Sequence, residues 1–373
     1  MGSKHFSAGR PAFSGARVTR WERAAVTPEA VWRGVTGAAR SLLHGAGRRE
    51  LITVKVGRRV MSDVALVPAW DGTETPEQWL GRMQEKFGAD TSAMLHARDL
   101  SLHDRDLFEV LLSGLRPAFE EHGLTRGTAG VEAFLGEYRA TPGAIHRQRC
   151  GNSHFVLQGR ECLRFWDGDD WIPPSAERRA GGARSEERLP SLSVSSVADR
   201  ARSVVVSAGE CLTWEPGVWH VAETIGPAFA FTVARRTGSS VPGERSYPFA
   251  AEPDGRVGAA WLEGYRAFLG GPASAASALA RASAYGLEGP EPRREPAGDL
   301  SRVAVSSHAP RLWHASEGEA LVATHGASRA FPAAVLPWLA GLAGLPIGAE
   351  HAVPGDAVEL ARFLVDHGAL RAA

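Results

Sequence analysis

Between Val131 and Val233 the chain breaks into short runs rich in β-branched and aromatic residues, punctuated by Gly and Pro: FLGEYRATPGAIHRQ, SHFVLQG, ECLRFW, SVVVSAGECLTWEP, WHVAET and AFAFTVA. Many short strands separated by turns predict a sandwich or jelly roll, and this stretch constrains the fold more than any other. One interruption, from about Pro173 to Arg202, carries RRAGGARSEER and a Ser-rich tail with few large apolar groups. It is expected to be a mobile surface insertion, either a tolerated loop or a lid.

With 373 residues the chain has room for two or three domains around this barrel. Residues 1–18, polar and Gly-rich, are expected to be a disordered arm. Residues 19–130 read as a mixed α/β region. In it, TPEAVWRGVTGAARSLL is helical, LITVKVGRRVMSDVALV gives one or two strands, and TPEQWLGRMQEKF is a helix. The last of these has Thr75 as N-cap, Pro76 at the first helical position and Gln78 completing a capping box. Residues 107–122 are helix-like, with Pro117 interrupting the pattern. The barrel is assigned to 131–240, and a helical region with the linker PEPRREPAG to 241–300. Residues 301–373 form a small C-terminal domain with the order strand (RLWHAS), strand (ALVATHG), helix (AAVLPWLAGLAG), helix (GDAVELARFLVDHGALR), a winged-helix-like pattern. The class is α+β.

Forty-two basic and 42 acidic residues leave no net field for nucleic acid or an anionic membrane, so neither is expected as a partner. The start MGSKHFSAGRPAFSGAR lacks an apolar core, and no later run approaches 18 uninterrupted apolar residues; neither a signal peptide nor a membrane span is expected. Cys150, Cys162 and Cys211 are odd in number and lack CxxC spacing, which fits a reducing cytoplasm. Spread over separate strands, they read as small core residues rather than a soft metal site. Only three residues are lysine (Lys4, Lys55 and Lys86), so the barrel region has none.

Three segments carry a family resemblance. FLGEYRATPGAIHRQ, RCGNSHFVLQGRECLRFW and SAGECLTWEPGVWHVAE resemble, in order and spacing, segments of the cupin-like, Jumonji C class of iron and 2-oxoglutarate oxygenases over roughly Phe134 to Arg235. The resemblance implies a double-stranded β-helix (cupin jelly roll) in which His146, Gln148 and His220 converge on a metal. His146 and Gln148, two apart on one strand, share a face. Gln148 stands where the family has a carboxylate ligand, so Fe(II) is expected to be held weakly. Glu161, fifteen residues after His146, stands where the family has a lysine for the far carboxylate of 2-oxoglutarate. Two like charges about 4 Å apart at an effective dielectric near 20 repel by about 4 kcal/mol, which argues against ordinary 2-oxoglutarate use. Asn152 matches the family's asparagine. His154 is a candidate ligand or anion-binding group, or else a hydrogen-bonded core histidine. Arg235 is a candidate carboxylate fork, or a partner for Glu161. Arg147 and Arg149 are out of phase with His146 and should face solvent. Trp166, Trp171, Trp214 and Trp219 could wall a substrate site or pack the barrel.

Two functions use this barrel. One is a divergent non-haem metal oxygenase of the hydroxylase type, acting on a peptide or a specialised small metabolite. The other is a repurposed barrel without 2-oxoglutarate-dependent activity, serving binding or acid/base chemistry through His146, Glu161 and His220. In related multi-domain oxygenases a C-terminal module helps to dimerise or to orient a protein substrate, which leaves a homodimer open.

Overall fold

The computed structural model describes residues 10–13, 16–20, 26–44, 51–57, 59–61, 63–88, 91–140, 144–180, 187–236, 246–270, 273–292, 300–307 and 309–373. The chain divides into two compact units, residues 1–107 with 129–244, and residues 108–128 with 245–373. The divisions expected at 130/131, 240/241 and 300/301 do not coincide with these units.

The first unit contains β1 (Arg10–Phe13), β2 (Ala16–Arg20), β3 (Ile52–Val56), β4 (Arg59–Met61), β5 (Ala93–Ala97), β6 (Ala129–Glu137), β7 (Ile145–Arg147) and β8 (Cys150–Gln158). It continues with β9 (Arg160–Trp166), β10 (Arg179–Ala180), β11 (Glu187–Leu189), β12 (Arg202–Ser207), β13 (Glu210–Trp214), β14 (Trp219–Thr224) and β15 (Ala228–Arg236). A nine-stranded sheet runs β1-β2-β13-β8-β15-β6-β5-β3-β4 and a six-stranded sheet runs β10-β11-β7-β14-β9-β12. At their centres β13-β8-β15-β6 face β7-β14-β9-β12, the strand order of a double-stranded β-helix, so the jelly roll expected from the turn pattern is the fold. Between the sheets lie Val156, Leu163, Phe165, Val206, Leu212, Trp214, Ala222 and Ala230, all buried. Gly159 turns β8 into β9 at φ +73°, and a Cβ there would stand 2.2 Å from the Pro227 carbonyl oxygen, so both conformation and space call for glycine.

Helices α1 (Pro28–Leu43) and α2 (Pro76–Phe87) belong to this unit. The α2 capping box forms as its sequence dictates, with Gln78 N–H donating to Thr75 Oγ1 at 3.2 Å and Thr75 N–H to Gln78 Oε1 at 2.8 Å. Trp32 of α1 meets Phe229 of β15 edge-on, placing α1 against the outer face of the large sheet.

Two expectations are corrected here. The described part of the supposed arm is ordered. β2 pairs with β13 from Ala16↔Trp214 to Arg20↔Glu210, because the edge of β13 offers unsatisfied backbone groups; residues 1–9 lie outside the described residues. The insertion is structural as well: Glu187, Arg188 and Leu189 of β11 pair with Arg147, His146 and Ile145 of β7. Leu189, Val197, Trp166, Trp171 and Trp219 form an apolar cluster with Ile145 and Val221. Leu189 and Val197 are the apolar anchors that the polar composition concealed. Residues 181–186 of the insertion are outside the described set.

Helix α3 (Arg105–His122), which from Phe108 onward belongs to the second unit, continues past Pro117 rather than being interrupted there, despite the hydrogen bond that a proline cannot donate. The helices α4 (Ala259–Leu269) and α5 (Ala275–Ser283) follow; of the expected linker at 290–298, residues 293–298 are outside the described residues. The C-terminal part holds β16 (Arg302–Val305), β17 (Leu312–Ser316), β18 (Glu319–Thr324), β19 (Ala327–Pro332), α6 (Leu336–Gly341), β20 (Glu350–Ala352), α7 (Val358–Asp366) and β21 (Leu370–Ala372). They make two three-stranded sheets, β20-β16-β21 and β17-β18-β19, over a core that includes Trp313, Trp338, Leu360 and Leu364. Among the described residues no helix is long and apolar enough to cross a membrane.

Candidate functional site

Strand alternation sets which side chains enter the barrel. On β7, His146 points opposite to Ile145 and Arg147; on β14, His220 points opposite to Trp219 and Val221. β7 and β14 pair at one position, His220↔His146, and this register brings the two imidazoles together with ring centroids 4.3 Å apart. Each ring is anchored identically. His146 Nδ1 lies 3.0 Å from the Ala144 carbonyl oxygen and His220 Nδ1 lies 2.9 Å from that of Val218. A carbonyl can only accept, so Nδ1 carries a proton in both rings. Burial, reinforced by Arg188 and His96 and opposed by the Ala144 carbonyl and Glu132, pulls His146 down to about 4. His146 is therefore a neutral imidazole at ordinary pH, the form that coordinates a metal.

The opposite face of these strands is braced by charge. Arg147 does face away from the barrel, but it is held rather than merely solvated: Nη2 donates to Glu187 at 2.6 Å, Nη1 to Asp169 at 3.0 Å, and its guanidinium lies 4.6 Å from the Trp219 ring. Trp219 Nε1 donates to the same Asp169 at 2.8 Å. Arg149 is exposed. Trp166, stacked on Trp171 at 4.8 Å, belongs with Trp219 to this outer packing. Of the four tryptophans considered, Trp214 alone faces the histidines, 4.9 Å from His220.

Gln148 lies one residue beyond β7. Its backbone carbonyl accepts from Gly217 N–H at 2.8 Å, and its side-chain oxygen accepts from Cys150 Sγ at 3.3 Å. Cys150, Cys162 and Cys211 are buried free thiols, and among the described residues no three His, Cys, Asp or Glu side chains are grouped to hold a metal. The candidate donors are thus the imidazoles of His146 and His220 and the amide of Gln148. Imidazole nitrogens suit a divalent cation, whereas the missing carboxylate leaves its charge without compensation.

A second cluster surrounds Glu161, which β9 carries into the barrel and which is wholly buried. Tyr138 Oη donates to Glu161 Oε1 at 2.7 Å, His154 Nε2 lies 2.6 Å from Oε2, and His154 Nδ1 lies 2.7 Å from Thr232 Oγ1. Burial first, then the carboxylate, pushes the Tyr138 hydroxyl well above its ordinary range, so it remains a donor. Both ring nitrogens of His154 are engaged here, with Glu161 and Thr232, as in a hydrogen-bonded core histidine or an anion-binding group.

Arg235 does not pair with Glu161. Thr232 faces the interior, so Arg235, three residues further along β15, falls on the other face. There its electrostatic neighbours are Glu215, Cys211 and Cys150, and its buried Nε has no hydrogen-bond partner among the described residues. Asn152 is buried beside Cys150, donating to that residue's carbonyl at 3.3 Å. Sequence reasoning missed Tyr138, Thr232 and the buried pair His96–Glu132 (2.9 Å). The alternation of Glu132, Phe134, Gly136 and Tyr138 along one face of β6 was the signal that could have found two of them.

The residues present do not fit 2-oxoglutarate. The position that the resemblance gives to a carboxylate-binding lysine holds Glu161, and the donors around it serve its own carboxylate.

No known protein family matches the chain, and no curated protein matches it. Among solved structures it is similar to YcfD, a ribosomal oxygenase from Escherichia coli, at 11% identity over 95% of this chain and 93% of that one, with a TM-score of 0.46. The same Escherichia coli protein in complex with cobalt and succinic acid matches at 13% identity over 74% and 78%, TM-score 0.39. Oxalate decarboxylase from Bacillus subtilis matches at 11% identity over 39% and 26%, TM-score 0.21.

Proposed function

We propose that the barrel is a divergent metal centre of the cupin-like, Jumonji C kind, and that the protein is an oxygenase-type enzyme of the cytoplasm acting on a peptide or a small specialised metabolite. The register His220↔His146, with both Nδ1 atoms tied to backbone carbonyls, is the observation that carries this reading. His146 and His220 would hold a divalent cation, Fe(II) in the family's chemistry, with Gln148 as a neutral third donor. Such a metal, when bound, supplies activation of dioxygen against an unreactive C–H bond. The chain's own contribution is to keep His146 neutral, to tie both rings to backbone carbonyls, and to screen them from water with Trp214 and Phe165, whose rings lie 4.9 and 6.3 Å from His220. The C-terminal elements, read as winged-helix-like, would orient a protein substrate or a second copy of the chain.

An anaerobic calorimetric titration with Fe(II) tests this. The expected result is one weak site per chain, lost in His220→Ala; no binding by the unmodified protein would retire the metal reading. The Glu161 cluster favours a second reading, a repurposed barrel that binds a ligand or runs acid/base chemistry through His146, Glu161 and His220. Activity that survives a chelator would select it.

A further inference from the structure

We infer that Tyr138, His154 and Thr232 form a carboxylate-binding pocket whose ligand is the chain's own Glu161, so that the barrel rejects a free dicarboxylate cosubstrate and takes a small monocarboxylate once Glu161 is cut back. This rests on the barrel being the functional site, and not on a metal being bound there.

The pocket is assembled on one sheet and filled from the other. His154 and Thr232 are register partners across β8 and β15 of the large sheet, and Tyr138 directly follows β6 of the same sheet. Glu161 comes from β9 of the small sheet and crosses the interior to meet them. The phenol and the imidazole converge on separate carboxylate oxygens at 2.7 and 2.6 Å, while Thr232 at 2.7 Å fixes the ring that makes the second contact. Donors arranged this way around a solvent-free carboxylate are what an anion site requires, because a buried carboxylate persists only when hydrogen-bonded.

Among the described residues, Arg188 is the arginine that shares a face with the barrel's histidines, and it stands opposite His146 on β11 rather than beside Glu161. The three lysines are Lys4, Lys55 and Lys86, all before the strands β6 to β15, and Arg235 lies on the outer face. A dicarboxylate placed about 4 Å from Glu161 would bind roughly a thousandfold more weakly than one facing a neutral group. Glu161→Ala removes the atoms of one acetate, so acetate is the probe that replaces the missing part.

Acetate, acetamide and 2-oxoglutarate are titrated into the protein, Glu161→Ala and Glu161→Gln, by calorimetry and by thermal shift, with Co(II) binding measured in parallel. Expected results are no 2-oxoglutarate binding by the unmodified protein with or without Co(II), saturable acetate binding by Glu161→Ala at least tenfold tighter than acetamide, and none by Glu161→Gln, whose side chain still fills the space. Adding Tyr138→Phe to Glu161→Ala should weaken acetate at least tenfold. If Glu161→Ala folds only in the presence of a ligand, acetate should restore folding and acetamide should not.

Metal-dependent 2-oxoglutarate binding by the unmodified protein overturns the inference, and so does a Glu161→Ala protein that neither binds acetate nor is refolded by it. Acetate binding without Co(II) binding would leave this inference standing and remove the metal centre; the reverse pattern would do the opposite.

Discussion

Replacing Tyr138 by Phe deletes one oxygen and keeps the ring, so it removes the 2.7 Å donation to Glu161 without opening a cavity. The ring itself sits in a small apolar group with Met94 and Phe134, which the substitution leaves intact. What changes is Glu161 Oε1, an oxygen in a side chain with no exposure, left without the one donor found for it. A hydrogen bond to a charged group contributes about 1.5–3 kcal/mol, and a buried acceptor without a partner loses the upper part of that range. The expected cost is about 2–3 kcal/mol, or about 4–12 °C in the melting of a unit of this size. Urea and thermal unfolding followed by circular dichroism would read it. The same substitution in a Glu161→Leu background should cost less than about 1 kcal/mol, because no carboxylate remains to be satisfied. A loss below about 0.5 kcal/mol in the unmodified protein, or equal losses in both backgrounds, would refute the reasoning.

Gln148→Glu should raise divalent-metal affinity at least tenfold by returning an anion to the donor set, as read by competition with a chromophoric chelator; equal affinities would mean that Gln148 is not a ligand. Burial holds His146 near 4 in the folded chain against an unfolded value near 6.5, so the unfolded state takes up the proton first. Its stabilising contribution is therefore complete above about pH 6.5 and is lost as pH falls toward 4, by about 3 kcal/mol in all; His146→Gln should flatten that part of the urea-midpoint profile against pH. Arg235→Ala, added to Glu161→Ala, should change acetate affinity by less than about twofold, since a side chain on the other face of β15 donates nothing to the pocket. A larger loss would put Arg235 back in the site.

The turn-punctuated stretch from Val131 to Val233 was enough to foresee a sandwich or jelly roll, because period-two alternation and Gly/Pro turns are local properties of a sequence, and the family resemblance chose between them. The meeting of His146 and His220 was implied by the family resemblance of three segments, since local alternation alone does not say which strands pair. Glu161's partner was not. The two candidates weighed for it were His154 and Arg235, and the choice depended on strand phase, which Thr232 settles by facing inward. Tyr138 stayed hidden because a Tyr at the end of a strand looks like any rim aromatic. The order of the described arm and insertion residues also lies beyond local pattern. β2 and β11 are short and polar, and form where β13 and β7 have unsatisfied backbone edges, which composition does not record.

X-ray absorption at the zinc edge of the Zn(II)-loaded protein addresses the central claim most directly, since zinc is redox-inert and its bond lengths distinguish nitrogen or oxygen from sulfur. The expected spectrum has two imidazoles in a shell of light atoms at about 2.0–2.1 Å, no sulfur, and loss of the imidazole signature in the His146→Ala/His220→Ala double variant. A sulfur shell at about 2.3 Å, or a spectrum unchanged by removing both histidines, would contradict it.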